Sequence, residues 1–134
     1  MTGAFADTSF YLALLNPKDA WHAVAAGCGE RYHGAVITTE YVLLEIGNHL
    51  CAPADRPLFI SLMEALRGDA RTTIVPASQD LFDEGLHLYS ARTDKRWSLT
   101  DCISFCVMKR RGLVDALACD HHFEQAGFEL LLRR

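Results

Sequence analysis

The chain has 134 residues, of which 50% are apolar and 22% are charged, and its formal net charge is −4. That length supports one sizeable core, so we expect a single domain over residues 1–134. The apolar fraction excludes a disordered chain. No apolar run approaches the roughly 20 residues of a transmembrane helix, so we expect no membrane partner. Proteins that neutralise many phosphates are usually basic, so the acidity either excludes nucleic acid as a ligand or marks a site whose negative charge metal ions neutralise.

Short apolar strands alternate with amphipathic helices along the chain. In chain order the sequence predicts a strand at 4–6, helices at 10–15 and 19–32, a strand at 35–37, helices at 40–51 and 56–66, a strand at 72–75, helices from 78 or 79 to 92 and from 98 to 111, a strand within 113–119, and an edge strand at 128–132. This alternation indicates βαβ units, and therefore an α/β fold with a parallel sheet and helices on both faces.

The predicted helix at 98–111 begins with a capping box, in which Ser98 is the N-cap and Asp101 lies three residues later. Its apolar residues recur at helical spacing, which indicates a buried helix that begins at an acidic first turn. An acid in a first turn is an ordinary choice, because the helix N-terminus carries partial positive charge. Asp101 taken alone is therefore a capping residue.

Three further acids change that interpretation. Asp7 directly follows the first predicted strand, Asp120 follows the fourth, and Glu45 lies among apolar neighbours about two turns into the helix after the second. Taken singly, Asp7 is typical of an N-cap, Asp120 of a turn residue and Glu45 of a solvated side chain. Ligands of open α/β sheets bind at the carboxyl ends of the strands, where these acids and Asp101 would meet. Clustered carboxylates repel one another unless cations bind or pKa values rise, so the pattern predicts a Mg²⁺ or Mn²⁺ site.

The cysteines and two histidines allow a different metal site. Cys119 precedes His121 and His122, but the ligand spacing is poor for zinc, and five cysteines form no Cys-x-x-Cys pair. The pattern favours reduced thiols in a cytosolic protein. Phe123 beside the two histidines favours a helix that docks on the core over a catalytic histidine.

Four segments carry a resemblance to a known family: FADTSFYLALLNPKDAWH, TTEYVLLEIGNHL, WSLTDCISFCVMKRRG and ALACDHHFEQAGF. They occur in the order found in PIN-domain ribonucleases, and the chain most closely resembles the VapC-type toxins of bacterial toxin–antitoxin pairs. By position, the family's acidic residues fall on Asp7, Glu45, Asp101 and Asp120. Ala118 stands where some members have Thr or Ser.

The resemblance implies a single PIN-like nuclease domain over residues 1–134, with a three-layer PIN-like α/β fold, a short, mostly parallel central sheet and helices on both faces. It implies endonucleolytic cleavage of RNA with Mg²⁺ or Mn²⁺, leaving 3′-hydroxyl and 5′-phosphate ends. Asp7, Asp101 and Glu45 would hold a cation that lowers the pKa of a bound water and polarises the phosphate, and Asp120 would complete a second cation position or orient the water. A cytoplasmic location, a cognate antitoxin and a homodimer are implied as well.

Several polar residues are candidates for supporting roles in this site. Thr8 and Asn48 are candidates for orienting the ligands. Candidate phosphate contacts are Lys95, Arg96, Arg110 and Arg111, although each of them alone is more typical of a solvated face.

Other functions remain to be weighed against the nuclease. A phosphatase of the haloacid dehalogenase type needs a second Asp two residues after Asp7, where this chain has Ser9. A receiver domain needs a phosphoacceptor Asp and a later Lys, and neither is found. The remaining alternative is a catalytically inactive PIN-like module that binds RNA or protein, which the presence of all four acids disfavours.

Overall fold

The computed structural model describes residues 3–133; Met1, Thr2 and Arg134, which the predicted domain also includes, lie outside the described residues. Strands within that range are β1 (Gly3–Ala6), β2 (Ala35–Thr39), β3 (Thr72–Val75), β4 (Asp115–Leu117) and β5 (Glu129–Leu130). Helices are α1 (Thr8–Leu15), α2 (His22–Arg31), α3 (Glu40–His49), α4 (Arg56–Gly68), α5 (Gln79–Ala91), α6 (Leu99–Arg110) and α7 (His122–Gln125). The predicted α/β fold is confirmed.

The strands form one sheet in the order β3-β2-β1-β4-β5, and every neighbouring pair is parallel. The chain moves outward from β1 to β3 on one side and then returns to β4 on the other side of β1. Because parallel crossovers are right-handed, this reversal places the connecting helices on opposite faces of the sheet. It also creates a topological switch point between β1 and β4, which is where open α/β sheets bind ligands.

Three aromatic rings hold the segments around the switch point together. Phe123 is fully buried, stacks on Phe5 with ring centroids 6.1 Å apart, and meets the Phe105 ring edge-on at 4.9 Å. These rings come from β1, α6 and α7, so one aromatic cluster fixes the relative position of three elements that are distant in sequence. Burial of rings of this size is a main contribution to core stability.

The differences from the predicted elements lie at their ends. α2 begins at His22 and not at residue 19, because the Asp19 carboxylate accepts the backbone N–H of Trp21 in a turn. α7 is the short helix that Phe123 indicated, and β5 has two residues where five were expected. Gly112, with φ of 65°, ends α6 as predicted. Among residues 3–133 no helix is both long and apolar enough to cross a bilayer.

Candidate active site

Asp7 lies at the carboxyl end of β1 and is the N-cap of α1. Its side chain is almost fully buried, and its Oδ2 accepts hydrogen bonds from the Ser9 hydroxyl at 2.8 Å and the Ser9 backbone N–H at 3.3 Å. Burial, together with the negative charge of Asp101, raises the pKa of Asp7 to about 7, against which the hydrogen bonds act. Asp7 is thus an N-cap, as its place in the sequence suggested. Its carboxylate is also buried and lies close enough to Asp101 for the two charges to interact.

Asp101 opens α6 in the predicted capping box. Its Oδ2 accepts the Ser98 backbone N–H at 3.1 Å, and its own N–H donates to the Ser98 hydroxyl oxygen at 3.0 Å. Burial raises the pKa of Asp101, and the charge of Asp120 adds to the rise, whereas the hydrogen bond from Ser98 lowers it. A bound cation would stabilise such a buried carboxylate, since it would offset both the burial and the negative charge of the neighbouring acid.

Asp120 follows β4, and its side chain is more accessible than those of Asp7 and Asp101. Its Oδ1 accepts the backbone N–H of His122 at 2.9 Å. The Nδ1 atom of His122 lies 3.1 Å from Oδ2 of Asp101 and 3.2 Å from Oδ2 of Asp120. With its proton on Nδ1, the imidazole ring donates to these two carboxylates and holds Asp120 next to Asp101.

Hydrogen bonds across the switch point fix the ends of β1 and β4. The Asp7 backbone N–H donates to the Leu117 carbonyl at 3.0 Å, and the Cys119 N–H donates to the Ser9 hydroxyl oxygen at 3.0 Å. The same Ser9 hydroxyl donates to Asp7. One side chain thus connects the first acid to the segment that carries the last.

Ser9→Ala should lower the free energy of unfolding by about 1–3 kcal/mol, because it leaves the Cys119 N–H without its partner and removes the hydrogen bond to a buried carboxylate. Urea unfolding measures the change. Ser90→Ala is the matched control: the Ser90 hydroxyl donates to the His87 carbonyl on an exposed part of α5, so its effect should stay within about 0.5 kcal/mol. Equal effects of the two substitutions would contradict this role for Ser9.

Glu45 lies half-buried on α3, a helix that packs against α1 and α6. Its carboxylate makes no hydrogen bond or ion pair with any of residues 3–133, and its carbonyl accepts from the His49 ring at 3.0 Å. The structure places Asp101 close enough to Asp7 and to Asp120 for their charges to interact, and it leaves Glu45 on a neighbouring helix. The role of all four acids as metal ligands stays a prediction. Of the supporting candidates, Thr8 is buried beside Asp7, and Asn48 is exposed on α3.

The four candidate phosphate contacts separate into two groups. Arg110 and Arg111 lie at the carboxyl end of α6, about 14 Å along the helix axis from Asp101. The Arg110 side chain also forms an ion pair with Glu84, because its Nε and Nη2 atoms donate to one Glu84 oxygen at 3.1 and 2.8 Å. Lys95 and Arg96 lie at the other end, in the loop that leads into α6. The second pair therefore lies at the same end of α6 as Asp101.

The side chains at the switch point fit a hard divalent cation. The carboxylate oxygens of Asp7 and Asp101 are buried with raised pKa values, and the buried Thr8 hydroxyl next to them has no partner among residues 3–133. Within the described range, one group of three potential ligand atoms lies within 4.8 Å of one another, and it consists of Asp120, His121 and His122. Cys119 is not part of that group, so the thiol that the zinc alternative requires does not lie with the two histidines.

His122 and Ser9 are the site residues that the sequence did not single out for these positions. Phe123 does dock on the core, as the sequence indicated, but His122 faces the carboxylates from the same short helix. The sequence feature that could have indicated His122 was its position two residues after Asp120. Ser9 likewise stands two residues after Asp7. Its place was weighed only because a phosphatase of the haloacid dehalogenase type has an Asp there.

The sequence of this chain is similar to those of known proteins. A sequence model of the PIN domain matches residues 4–129. The 23S rRNA-specific endonuclease VapC20 of Mycobacterium tuberculosis, found in two strains, is 29% identical over 124 residues, which cover 92% of this chain and 94% of that protein.

Solved structures agree with the sequence match. The crystal structure of M. tuberculosis VapC20, a sarcin–ricin loop cleaving toxin, superposes with a TM-score of 0.85 and 28% identity over 95% of this chain and 96% of that one. FitAcB from Neisseria gonorrhoeae superposes with a TM-score of 0.67 at 14% identity, over 95% of each chain, and shows the shared fold alone.

Proposed function

This chain belongs to the PIN domain family, and from that membership we propose that it is a metal-dependent endoribonuclease, the toxin component of a type II toxin–antitoxin pair. The observation that supports the proposal is the electrostatic interaction of Asp101 with Asp7 and with Asp120 at the switch point, where Asp7 and Asp101 are buried with raised pKa values. Similarity to an endonuclease over 92% of the chain favours this function over an inactive PIN-like binding module.

Asp7, Asp101 and Asp120, with Glu45 by its position in the family motif, would hold Mg²⁺ or Mn²⁺. A divalent cation, when bound, supplies Lewis-acid polarisation of the scissile phosphate and lowers the pKa of a bound water. The protein contributes anionic oxygens held by hydrogen bonds, two of them on buried carboxylates. Ser9 holds the Asp7 carboxylate, the Ser98 N–H holds that of Asp101, and His122 keeps Asp101 and Asp120 side by side.

We propose structured ribosomal RNA as the substrate class. The support is the full-length similarity to VapC20, whose names describe a 23S rRNA-specific, sarcin–ricin loop cleaving toxin. The acidic net charge of the chain is compatible with this substrate, because cations bound at the site would neutralise the acids that face the RNA. Cleavage of an unstructured RNA with equal efficiency would contradict the substrate class and leave the nuclease intact.

The proposed partners follow from the toxin type. A cognate antitoxin would block the acidic site, and a second copy of the chain would form a homodimer. We place the activity in the cytoplasm, where the ribosomal substrate is found; the free state of all five cysteines is compatible with a reducing compartment.

Metal removal tests the proposed function. The purified protein should cleave a labelled RNA hairpin with the sarcin–ricin loop sequence in Mn²⁺ or Mg²⁺, lose all cleavage in EDTA, and regain it when Mn²⁺ is restored. Mn²⁺ should also raise the thermal melting temperature, because a ligand of the folded state stabilises it by mass action. Cleavage that persists in EDTA would overturn the metal dependence, and the absence of cleavage of any ribosomal RNA would favour the binding module.

A further inference from the structure

A polar pocket lies beside the loop that joins α5 to α6, apart from the acid cluster. Its volume is about 500 Å³, and its lining residues are Tyr89, Arg92, Thr93, Lys95, Arg96 and Trp97. We call it the Arg92 pocket. Three cations and two aromatic rings thus surround one cavity in a chain whose formal net charge is −4. Such a combination binds a planar anion, since rings and guanidinium groups stack while ammonium and guanidinium groups neutralise charge.

Arg92 is held in place before any ligand binds. Its Nε and Nη2 atoms donate to the two Asp94 oxygens at 2.9 and 3.0 Å, and its guanidinium carbon lies over the Trp97 ring, 5.0 Å from the centroid. Even so, 42% of the Arg92 side chain remains exposed. A preorganised guanidinium plane with an open side loses little side-chain entropy when a base stacks on it.

Trp97 is the fixed floor of the pocket. Its ring is buried, meets Phe105 edge-on with ring centroids 5.0 Å apart, and its indole N–H donates to the Gln125 side-chain oxygen at 3.1 Å. Trp97 itself is therefore too covered to stack on a ligand. Tyr89, by contrast, is 50% exposed, so its ring and the Arg92 guanidinium are the two planar surfaces available.

Lys95 and Arg96 add positive charge to the pocket, although the charge of Lys95 also acts on the Asp94 carboxylate. Neither side chain makes an ion pair or a hydrogen bond with any of residues 3–133, whereas Arg92 is paired with Asp94 and Arg110 with Glu84. Two cations outside any ion pair, beside two stacking planes, match a nucleotide, in which a phosphate and a base are joined. An acidic peptide would use the cations and leave the planar surfaces without a purpose.

The Arg92 pocket and the acid cluster are built on the same elements. Ser98, the residue after Trp97, donates its N–H to Asp101, and Gln125, which binds Trp97, belongs to the same short helix as His122. Both sites therefore involve the N-terminus of α6 and the helix α7.

We propose that the Arg92 pocket binds one nucleotide of the substrate RNA next to the cleaved phosphodiester. Arg92 and Tyr89 stack on the base, and Lys95 and Arg96 contact the phosphate. The pocket thereby supplies affinity and register for the RNA, while the acids perform the chemistry. This inference rests on the proposed nuclease function for the identity of its ligand.

Equilibrium binding without metal tests the pocket separately from cleavage. The probes are a fluorescein-labelled hairpin with the sarcin–ricin loop sequence and an unstructured RNA of equal length, both measured in EDTA with the full chain. Lys95→Gln combined with Arg96→Gln should weaken hairpin binding at least about tenfold and reduce the slope of log Kd against log salt by about 1.5, because two phosphate contacts are lost. Lys18→Gln combined with Arg31→Gln is the matched control: both are exposed, neither forms an ion pair within residues 3–133, and the change in charge is identical.

Tyr89→Leu tests stacking with no change in charge. It should weaken binding about tenfold, whereas Tyr89→Phe, which keeps the ring, should retain most of the affinity. In cleavage assays the same loss should appear as a higher KM. An equal effect of leucine and phenylalanine would contradict stacking on Tyr89.

The outcomes separate this proposal from the nuclease function. If the control pair weakens RNA binding as much as the Lys95 and Arg96 pair, or if the wild type binds neither RNA, the pocket is not an RNA subsite. Polyglutamate that competes with the hairpin at an equal charge concentration would identify a surface for acidic protein and overturn the proposal. Pocket-dependent binding without cleavage in Mn²⁺ would refute the nuclease alone, and normal KM in the pocket variants would refute the pocket alone.

Discussion

Asp7→Asn and Asp101→Asn should each reduce RNA cleavage in Mn²⁺ at least about 1000-fold while the protein stays folded. The loss corresponds to about 4 kcal/mol of transition-state stabilisation, which is the scale expected when a cation loses an anionic ligand. Asparagine keeps the size of the side chain and an acceptor oxygen. The hydrogen bonds from Ser9 to residue 7 and from Ser98 to residue 101 can therefore persist, which separates loss of charge from loss of structure.

Single-turnover cleavage of the labelled hairpin measures this effect, and circular dichroism with urea unfolding checks the fold. Asp55→Asn is the matched control, because Asp55 is exposed before α4 and makes no side-chain capping bond. Its cleavage rate should stay within about twofold of the wild type. Cleavage by Asp101→Asn at more than about a tenth of the wild-type rate would show that the acids are not the catalytic centre.

In the absence of metal, the stability of the wild type relative to Asp7→Asn should fall as the pH rises from about 4 to about 7. The pKa of Asp7 is about 7 in the folded chain, compared with 3.8 for an unperturbed aspartate carboxyl. The folded chain therefore keeps a proton that the unfolded chain releases, and folding becomes less favourable across that interval. One pKa unit corresponds to 1.36 kcal/mol, so the difference can reach about 4 kcal/mol above pH 7.

Urea unfolding in EDTA at pH 4, 5, 6, 7 and 8 measures this difference, with Asp55→Asn again as the control. Because asparagine has no proton to lose, the variant should gain stability over the wild type progressively up to pH 7 and no further above it. Mn²⁺ should reduce the gap at pH 7 and above, since a cation stabilises the ionised carboxylates of the wild type. A gap that is constant from pH 4 to pH 8 would show that Asp7 is not destabilised in its charged form.

Much of the fold was determined by local sequence. Alternating apolar strands and amphipathic helices predicted the parallel α/β sheet, and the capping box of Ser98 and Asp101 is present as expected. Such features are readable because they depend on residues a few positions apart. The positions of Asp7 and Asp120 after two strands also placed them at one edge of the sheet, because neighbouring parallel strands end at the same edge.

Only the tertiary structure decided how the acids are surrounded. The hydrogen bond from Cys119 to Ser9 joins residues 110 positions apart, and the one between His122 and Asp101 joins residues 21 positions apart. No local sequence pattern predicts contacts at such separations. Burial of Asp7 and the pairing of Arg110 with Glu84 likewise depend on which helices pack together. The sequence by itself determined which residues carry charge and at which strand ends they stand. Packing decided which charges are buried, which are paired and which are free to meet a ligand, because desolvation and Coulomb energies depend on neighbours that the chain brings together only when it folds.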